Sequence, residues 1–128
     1  MIPNRIGIEK RQQKANNREE YGHFETDTMV SGKCHGSTEA LSVLHERKSR
    51  YTRLRKIRNL KPQSHAHALI IMGRNMKRKS LTYDNGIENR RHQHVAKKLS
   101  IETYFCNPYH SWEKGGVENT IGRIRRFI

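Results

Sequence analysis

The order of periodic runs constrains this chain most. Phe24, Thr26, Thr28 and Val30 alternate with Glu25, Asp27 and Met29, and that period of two predicts a strand. Ala40 to His45 predicts a second strand and Tyr51 to Ile57 a third. Ser31 to Gly36 supplies the first turn, and Glu46-Arg47-Lys48-Ser49-Arg50 is short enough to close a hairpin. Three antiparallel strands therefore open the domain. The pattern then changes. Pro62 begins a helix, with Ser64 as N-cap and Ala66, Leu69, Ile70, Gly73 and Met76 as its apolar face. Ser80 to Tyr83 predicts a fourth strand, Ile87 to Leu99 a helix, Ile101 to Phe105 a fifth strand and Gly116 to Ile128 a last helix. Asn85-Gly86 would ordinarily mark a tight hairpin. The residues after it have helical composition and no alternation, so Asp84 ends a strand that leads into a helix. The whole order predicts an α/β fold, a mixed five-stranded sheet with its first three strands antiparallel and helices on its faces.

The other bounds follow from composition. A chain of 128 residues makes one domain with a real core. Hydrophobic content of 33% is low and mean hydropathy is negative, yet the apolar residues cluster in periodic runs, which argues against disorder. Lys and Arg number 26 against 12 Asp and Glu, a net charge of +14 that calls for a polyanionic partner, most often nucleic acid. No apolar run approaches membrane-spanning length and the first residues hold no signal-peptide core, so a cytoplasmic chain without a membrane partner is expected. Cys34 and Cys106 have no CxxC partner and read as reduced thiols. His65 and His67, two apart on a helix, fall on different faces and make no metal site. Residues 1–20 are polar and basic and read as an arm or linker, with a short helical turn near Arg18 to Tyr21. Residues 21–128 form the core domain.

The acidic residues are unevenly chosen. Only Asp27 and Asp84 among the 12 are aspartate, and both lie in or at the end of β-like runs, where aspartate is disfavoured. A bound cation would compensate, although Asp at a strand end is also an ordinary turn former. On the last helix Val117, Ile121, Ile124 and Ile128 form an apolar stripe. Glu118 sits at its edge, on one face with Gly122 and Arg125. Alone, Glu118 also reads as a solvated surface charge.

Five segments together carry a resemblance: Gly22-His23-Phe24-Glu25-Thr26-Asp27-Thr28, His45-Glu46-Arg47-Lys48-Ser49-Arg50-Tyr51, Thr82-Tyr83-Asp84-Asn85-Gly86, Asn107-Pro108-Tyr109-His110-Ser111-Trp112, and Lys114-Gly115-Gly116-Val117-Glu118-Asn119 through Arg126. In this order, over roughly residues 8–128, they resemble the catalytic core of DDE-type bacterial insertion-sequence transposases of the family numbered thirty. The resemblance implies a ribonuclease H-like, integrase-like fold in which the first and fourth strands are neighbours. It implies that Asp27, Asp84 and Glu118 are the catalytic carboxylates, with the 33 intervening residues between the last two that the family shows. Two Mg²⁺ ions about 3.5–4 Å apart, with Mn²⁺ as substitute, would need such hard anionic ligands. The implied partners are DNA, as transposon ends and target, and further copies of the chain on that DNA.

Arg125, Asn119, Lys114, Tyr109 and His110 are the candidate DNA contacts. Trp112 is compatible with stacking on a base and with packing on the last helix. His23 and Glu25 are compatible with a supporting role at the site and with plain strand entry. Family members also carry an N-terminal helix-turn-helix that residues 1–20 cannot form, and they continue beyond Ile128, so the reading is of a C-terminally truncated core. Two other classes share much of this pattern: a ribonuclease H-like nuclease that does not join strands, and a basic nucleic-acid-binding protein without catalysis.

Overall fold

The computed structural model describes residues 2–11, 18–30, 39–106 and 121–124. Its five strands are β1 (His23–Val30), β2 (Ala40–Glu46), β3 (Thr52–Ile57), β4 (Ser80–Tyr83) and β5 (Glu102–Phe105). They form one sheet in the order β3-β2-β1-β4-β5. The β1, β2 and β3 strands are antiparallel neighbours, while β4 joins β1 and β5 joins β4 in parallel. The expected mixed sheet is present, with the first and fourth strands side by side.

Helix α1 (Pro62–Gly73) and helix α2 (His92–Leu99) lie on one face. There Leu69, Met72, Val95 and Leu99 meet Phe24, Leu44, Leu81, Tyr83 and Phe105 in the main core. Full burial of each such apolar side chain contributes about 1.5–3 kcal/mol. Tyr83 and Phe105 stack at 5.1 Å, and the His92 ring meets Phe105 edge-on at 4.9 Å. The opposite face of β1 and β2 holds a smaller cluster of Met29, Val43 and Ile121, with Leu41 and Ile124 packed against it. Residues 121–124 are helical. The terminal apolar stripe is thus seen at Ile121 and Ile124, whereas Val117 and Ile128 lie outside the described residues.

Three local expectations are corrected. The N-cap of α1 is Lys61, with Pro62 inside the first turn. The Ser64 hydroxyl instead donates to Asn59 Oδ1 at 2.7 Å, because Pro62 itself starts the helical backbone. The segment after Asp84 is not one helix from Ile87. A 3₁₀ turn spans Ile87–Asn89 and α2 begins at His92, because Asn89 turns its side chain back to Asp84. The only short helical turn described in the first 20 residues lies at Ile8–Lys10, not near Arg18.

The described first part of the basic arm, residues 2–11, docks on the sheet. Gly7 bridges Phe105 in parallel, the Phe105 amide donates to Ile6 O at 2.7 Å, and His92 Nε2 bonds Pro3 O at 2.6 Å. Ile8 and Arg11 are buried. The arm therefore covers the β5 edge, which would otherwise offer unpaired backbone groups.

Candidate active site

Asp27 is the fifth of the eight residues of β1, and the strand's alternation sets it on the face opposite the main core, with Glu25 and Met29. Its cross-strand partner is Val43. Asp84 follows β4 directly. The last parallel pair between β1 and β4 is Glu25 with Thr82. Asp27 and Asp84 each follow that pair by two residues, Asp84 just beyond the end of β4. Both therefore lie just past the C-terminal end of the parallel β1–β4 pairing, Asp84 after its strand and Asp27 within β1, on the side where open α/β sheets place their sites.

Each is held by donors nearby. Asp27 Oδ1 accepts the Thr28 amide at 2.8 Å. Asp84 Oδ1 accepts the Gly86 amide at 2.9 Å and Asn89 Nδ2 at 2.9 Å. Asn89 Nδ2 also donates to the Asp84 carbonyl at 3.1 Å. An amide NH₂ carries two hydrogens, so one buried side chain clamps both the carboxylate and the backbone of Asp84. Gly86 has an ordinary φ of −64°, so no left-handed turn requires it. A Cβ there would come within 3.0 Å of Asp84 Oδ1 and closer still to Glu88, so glycine leaves the carboxylate its room. Asn85 fastens the other side of the turn, donating to Cys106 O at 2.7 Å.

Beneath this edge the sheet face carries a buried polar network. Glu25 is fully buried and pairs with Arg47 Nη1 at 2.9 Å. Burial lowers the Arg47 pKa, and the Glu25 carboxylate opposes that shift. The Arg47 amide donates to His23 O at 2.9 Å, and Arg11 Nη1 donates to Thr82 Oγ1 at 3.2 Å. His23 shares hydrogen bonds with Ser80 Oγ at 2.7 Å and Glu20 Oε1 at 2.8 Å. Glu46 accepts the Ser49 amide and hydroxyl, both at 2.6 Å, and the Gly22 amide at 3.1 Å. Burial pushes its carboxyl up, but these bonds outweigh burial and hold it below its ordinary range. Burial and the cations Arg18 and Arg50 lower His45 to about 4. The His45–Tyr51 segment thus ties the hairpin to the start of β1. Gly22 completes the tie: its φ of +99° favours glycine, and its carbonyl accepts the Lys79 amide at 2.7 Å.

Of the three expected carboxylates, Asp27 and Asp84 each follow the last β1–β4 pair by two residues. Glu118 lies outside the described residues, as do the candidate DNA contacts Arg125, Asn119, Lys114, Tyr109 and His110, and Trp112. Among the described residues no three His, Cys, Asp or Glu side chains converge as a metal site. The donor chemistry of Asp27 and Asp84 suits Mg²⁺ or Mn²⁺, since both offer hard anionic oxygens oriented by fixed N–H donors. His23 and Glu25 are buried polar supports of the sheet. His65 is likewise buried, its Nδ1 bonded to Ser42 Oγ at 2.8 Å. Sequence reading missed Asn89. An Asn five residues after an Asp at a strand end is the available signal, and it is weak without the turn geometry.

Known proteins bear on this arrangement. The chain is 36% identical to the transposase for insertion sequence element IS4351 of Bacteroides fragilis over 99% of its own length and 39% of that protein. It is also 36% identical to the transposase InsI for insertion sequence element IS30C of Escherichia coli, over 99% of this chain and 33% of that one. The match to the transposase for element IS1086 of Cupriavidus metallidurans is 34% identical, over 99% of this chain and 38% of that one. The chain therefore spans between a third and two fifths of these relatives. No protein-family model matches it. Among solved structures, the catalytic core domain of BIV integrase superposes with a TM-score of 0.62 at 20% identity, over 79% of this chain and 64% of that one. A chain of the simian T-cell lymphotropic virus intasome, in complex with PP2A regulatory subunit B56 gamma, gives 0.63 at 21%, over 79% and 37%. The fold is that of integrase catalytic cores, the ribonuclease H-like fold.

Proposed function

Since this chain is a homologue of the insertion-sequence transposases of the IS30 family, we propose that it is a phosphoryl-transfer core acting on DNA, with Asp27, Asp84 and Glu118 as its carboxylates. The observation that supports the reading is the register of β1 and β4, whose last pair, Glu25 with Thr82, lies two residues before both Asp27 and Asp84. Mg²⁺, or Mn²⁺ in its place, supplies activation of a water or 3′-hydroxyl and stabilisation of the leaving 3′ oxygen when bound. The chain's part is to present and orient anionic oxygens. The Thr28 amide turns Asp27, while the Gly86 amide and Asn89 turn Asp84, so little reorganisation is left for the bound state. Ile121 packs with Met29 and Val43, which flank Asp27, and this favours a role for the terminal helix in completing the site. The positive charge suits transposon ends and target DNA, and the intasome likeness is in keeping with several copies working on one DNA in the bacterial cytoplasm.

The test incubates the chain with Mn²⁺ and a labelled DNA carrying a free 3′-hydroxyl, alongside an unlabelled duplex. Joined product supports strand transfer. Nicks without joining would favour the ribonuclease H-like nuclease, and DNA binding with neither product would favour a non-enzymatic binding protein.

A further inference from the structure

The most uneven charge in the described structure lies away from the carboxylates, on the outer edge of the sheet. No Asp or Glu occurs between Glu46 and Asp84. The first part of that interval is β3, the edge strand beyond β2, and the turns at its two ends. It presents Arg50, Arg53, Arg55, Lys56, Arg58 and Lys61 within 12 residues. Arg50, Arg55, Lys56, Arg58 and Lys61 are exposed, and Tyr51 and Leu54 are exposed between them. Lys56 meets Glu39 at 2.9 Å, but both side chains are more than half exposed, and such pairs contribute little. Arg53 donates to Met72 O at 2.7 Å and lies over the Tyr51 ring at 5.6 Å, so its cation is positioned but not neutralised. Several cations elsewhere are engaged: Lys79 pairs with Glu20, Arg47 pairs with buried Glu25, and Arg78 caps the carbonyls of Gly73, Arg74 and Leu99.

We propose that the exposed edge formed by β3 and its flanking turns is a phosphate-backbone contact surface for DNA, separate from the carboxylate edge. Its length fits. Six extended residues span about 20 Å, the rise of about six nucleotides along one strand of a duplex. Its chemistry fits as well, with cations on both sides of the strand and Tyr51 beside Arg53, a mixture that tracks a backbone without reading bases. Its place fits the proposed reaction. Leu54, Val43 and Asp27 lie in one row across β3, β2 and β1, so the basic edge stands about two strand spacings, roughly 10 Å, from Asp27. A duplex gripped there would run past the carboxylates. The inference rests on DNA as the partner proposed above and not on the assignment of the carboxylates.

Cationic edge strands also serve simply to prevent edge-to-edge pairing, and the experiment separates the two roles. DNA binding is measured without divalent metal, over a range of salt, for the parent, for Arg55→Gln/Lys56→Gln/Lys61→Gln, and for the control Lys77→Gln/Lys97→Gln/Lys98→Gln. The control removes the same charge from exposed positions near the N-terminal end of β4 and on α2. Melting temperature and sedimentation are recorded for all three. The expected result is a fall of roughly 2–3 in the slope of log affinity against log salt for the edge variant, less than 1 for the control, and all three monodisperse. Equal falls in the two variants would overturn the inference, as would an unchanged slope with new self-association of the edge variant. A parent that does not bind DNA would overturn both this inference and the partner reading. A parent that binds but neither cuts nor joins would count against the carboxylate reading alone.

Discussion

Asn89→Ala removes one side chain and two hydrogen bonds, and both bonds end on Asp84. The bond to the carboxylate is 2.9 Å long and the bond to the carbonyl 3.1 Å. A bond to a charged acceptor contributes about 1.5–3 kcal/mol and one to a neutral acceptor about 0.5–1.5 kcal/mol. Asn89 is 5% exposed, so solvent does little to replace it. The expected loss of stability is about 2–4 kcal/mol, read from urea unfolding. The Gly86 amide still reaches Asp84 Oδ1, so the carboxylate stays in place but is less well oriented. Mn²⁺ affinity, measured by calorimetry under folding conditions, should fall about tenfold, equivalent to about 1.4 kcal/mol. Arg90→Ala, one residue on and exposed, should change neither quantity. A stability loss below about 0.5 kcal/mol with unchanged Mn²⁺ affinity would refute the clamp.

Three further outcomes are expected. Ile121→Ala should cost about 2–5 kcal/mol, nearer the lower figure because its cluster is small, and should weaken Mn²⁺ binding, whereas exposed Arg123→Ala should do neither; equal Mn²⁺ affinities would show that docking of this helix does not serve the site. Arg47→Met should destabilise by about 3–5 kcal/mol because it removes a cationic partner of the buried Glu25 carboxylate, and the double variant Arg47→Met/Glu25→Gln should recover much of that loss in thermal melts. His45, lowered to about 4, binds its proton more weakly folded than unfolded, so its contribution is intact above pH 6.5 and is lost as pH falls toward 4, at most about 3 kcal/mol; His45→Gln should flatten stability between pH 6.5 and 4.

The sheet was legible because its strands are short, alternating and separated by recognisable turns. Ser80–Tyr83 is bounded in the structure where the pattern bounds it, since Asp84 and Gly86 break the strand at once. The two aspartates stood out because aspartate is poorly suited to strands and only two occur, whereas their joint role was an implication of the family resemblance. Helix boundaries were less so. The composition after Asp84 is helical throughout, and only the three-dimensional bond from Asn89 to Asp84 shows why the backbone tightens into a 3₁₀ turn first. The docking of the arm was hidden because its polar residues carry no period, while Phe105 and His92, which bind it, lie some 90 to 100 residues away in sequence. The roles of Glu46 and Arg47 also needed the fold. In sequence they read as a charged turn, but in the structure both are buried and fasten β2 to β1.

The central claim is that Asp27 and Asp84 act together at one edge, and Asp84→Asn tests it most directly beside Asp27→Asn. An asparagine Oδ1 can still accept from the Gly86 amide and from Asn89, so the turn should survive while the anionic charge is lost. Mn²⁺ titration and Mn²⁺-dependent DNA nicking and joining should be measured on both variants and the parent. The expected result is at least tenfold weaker Mn²⁺ binding and no nicking or joining in either variant, with melting temperatures at or above that of the parent. A variant that binds Mn²⁺ as tightly and cuts DNA as fast as the parent would contradict the account.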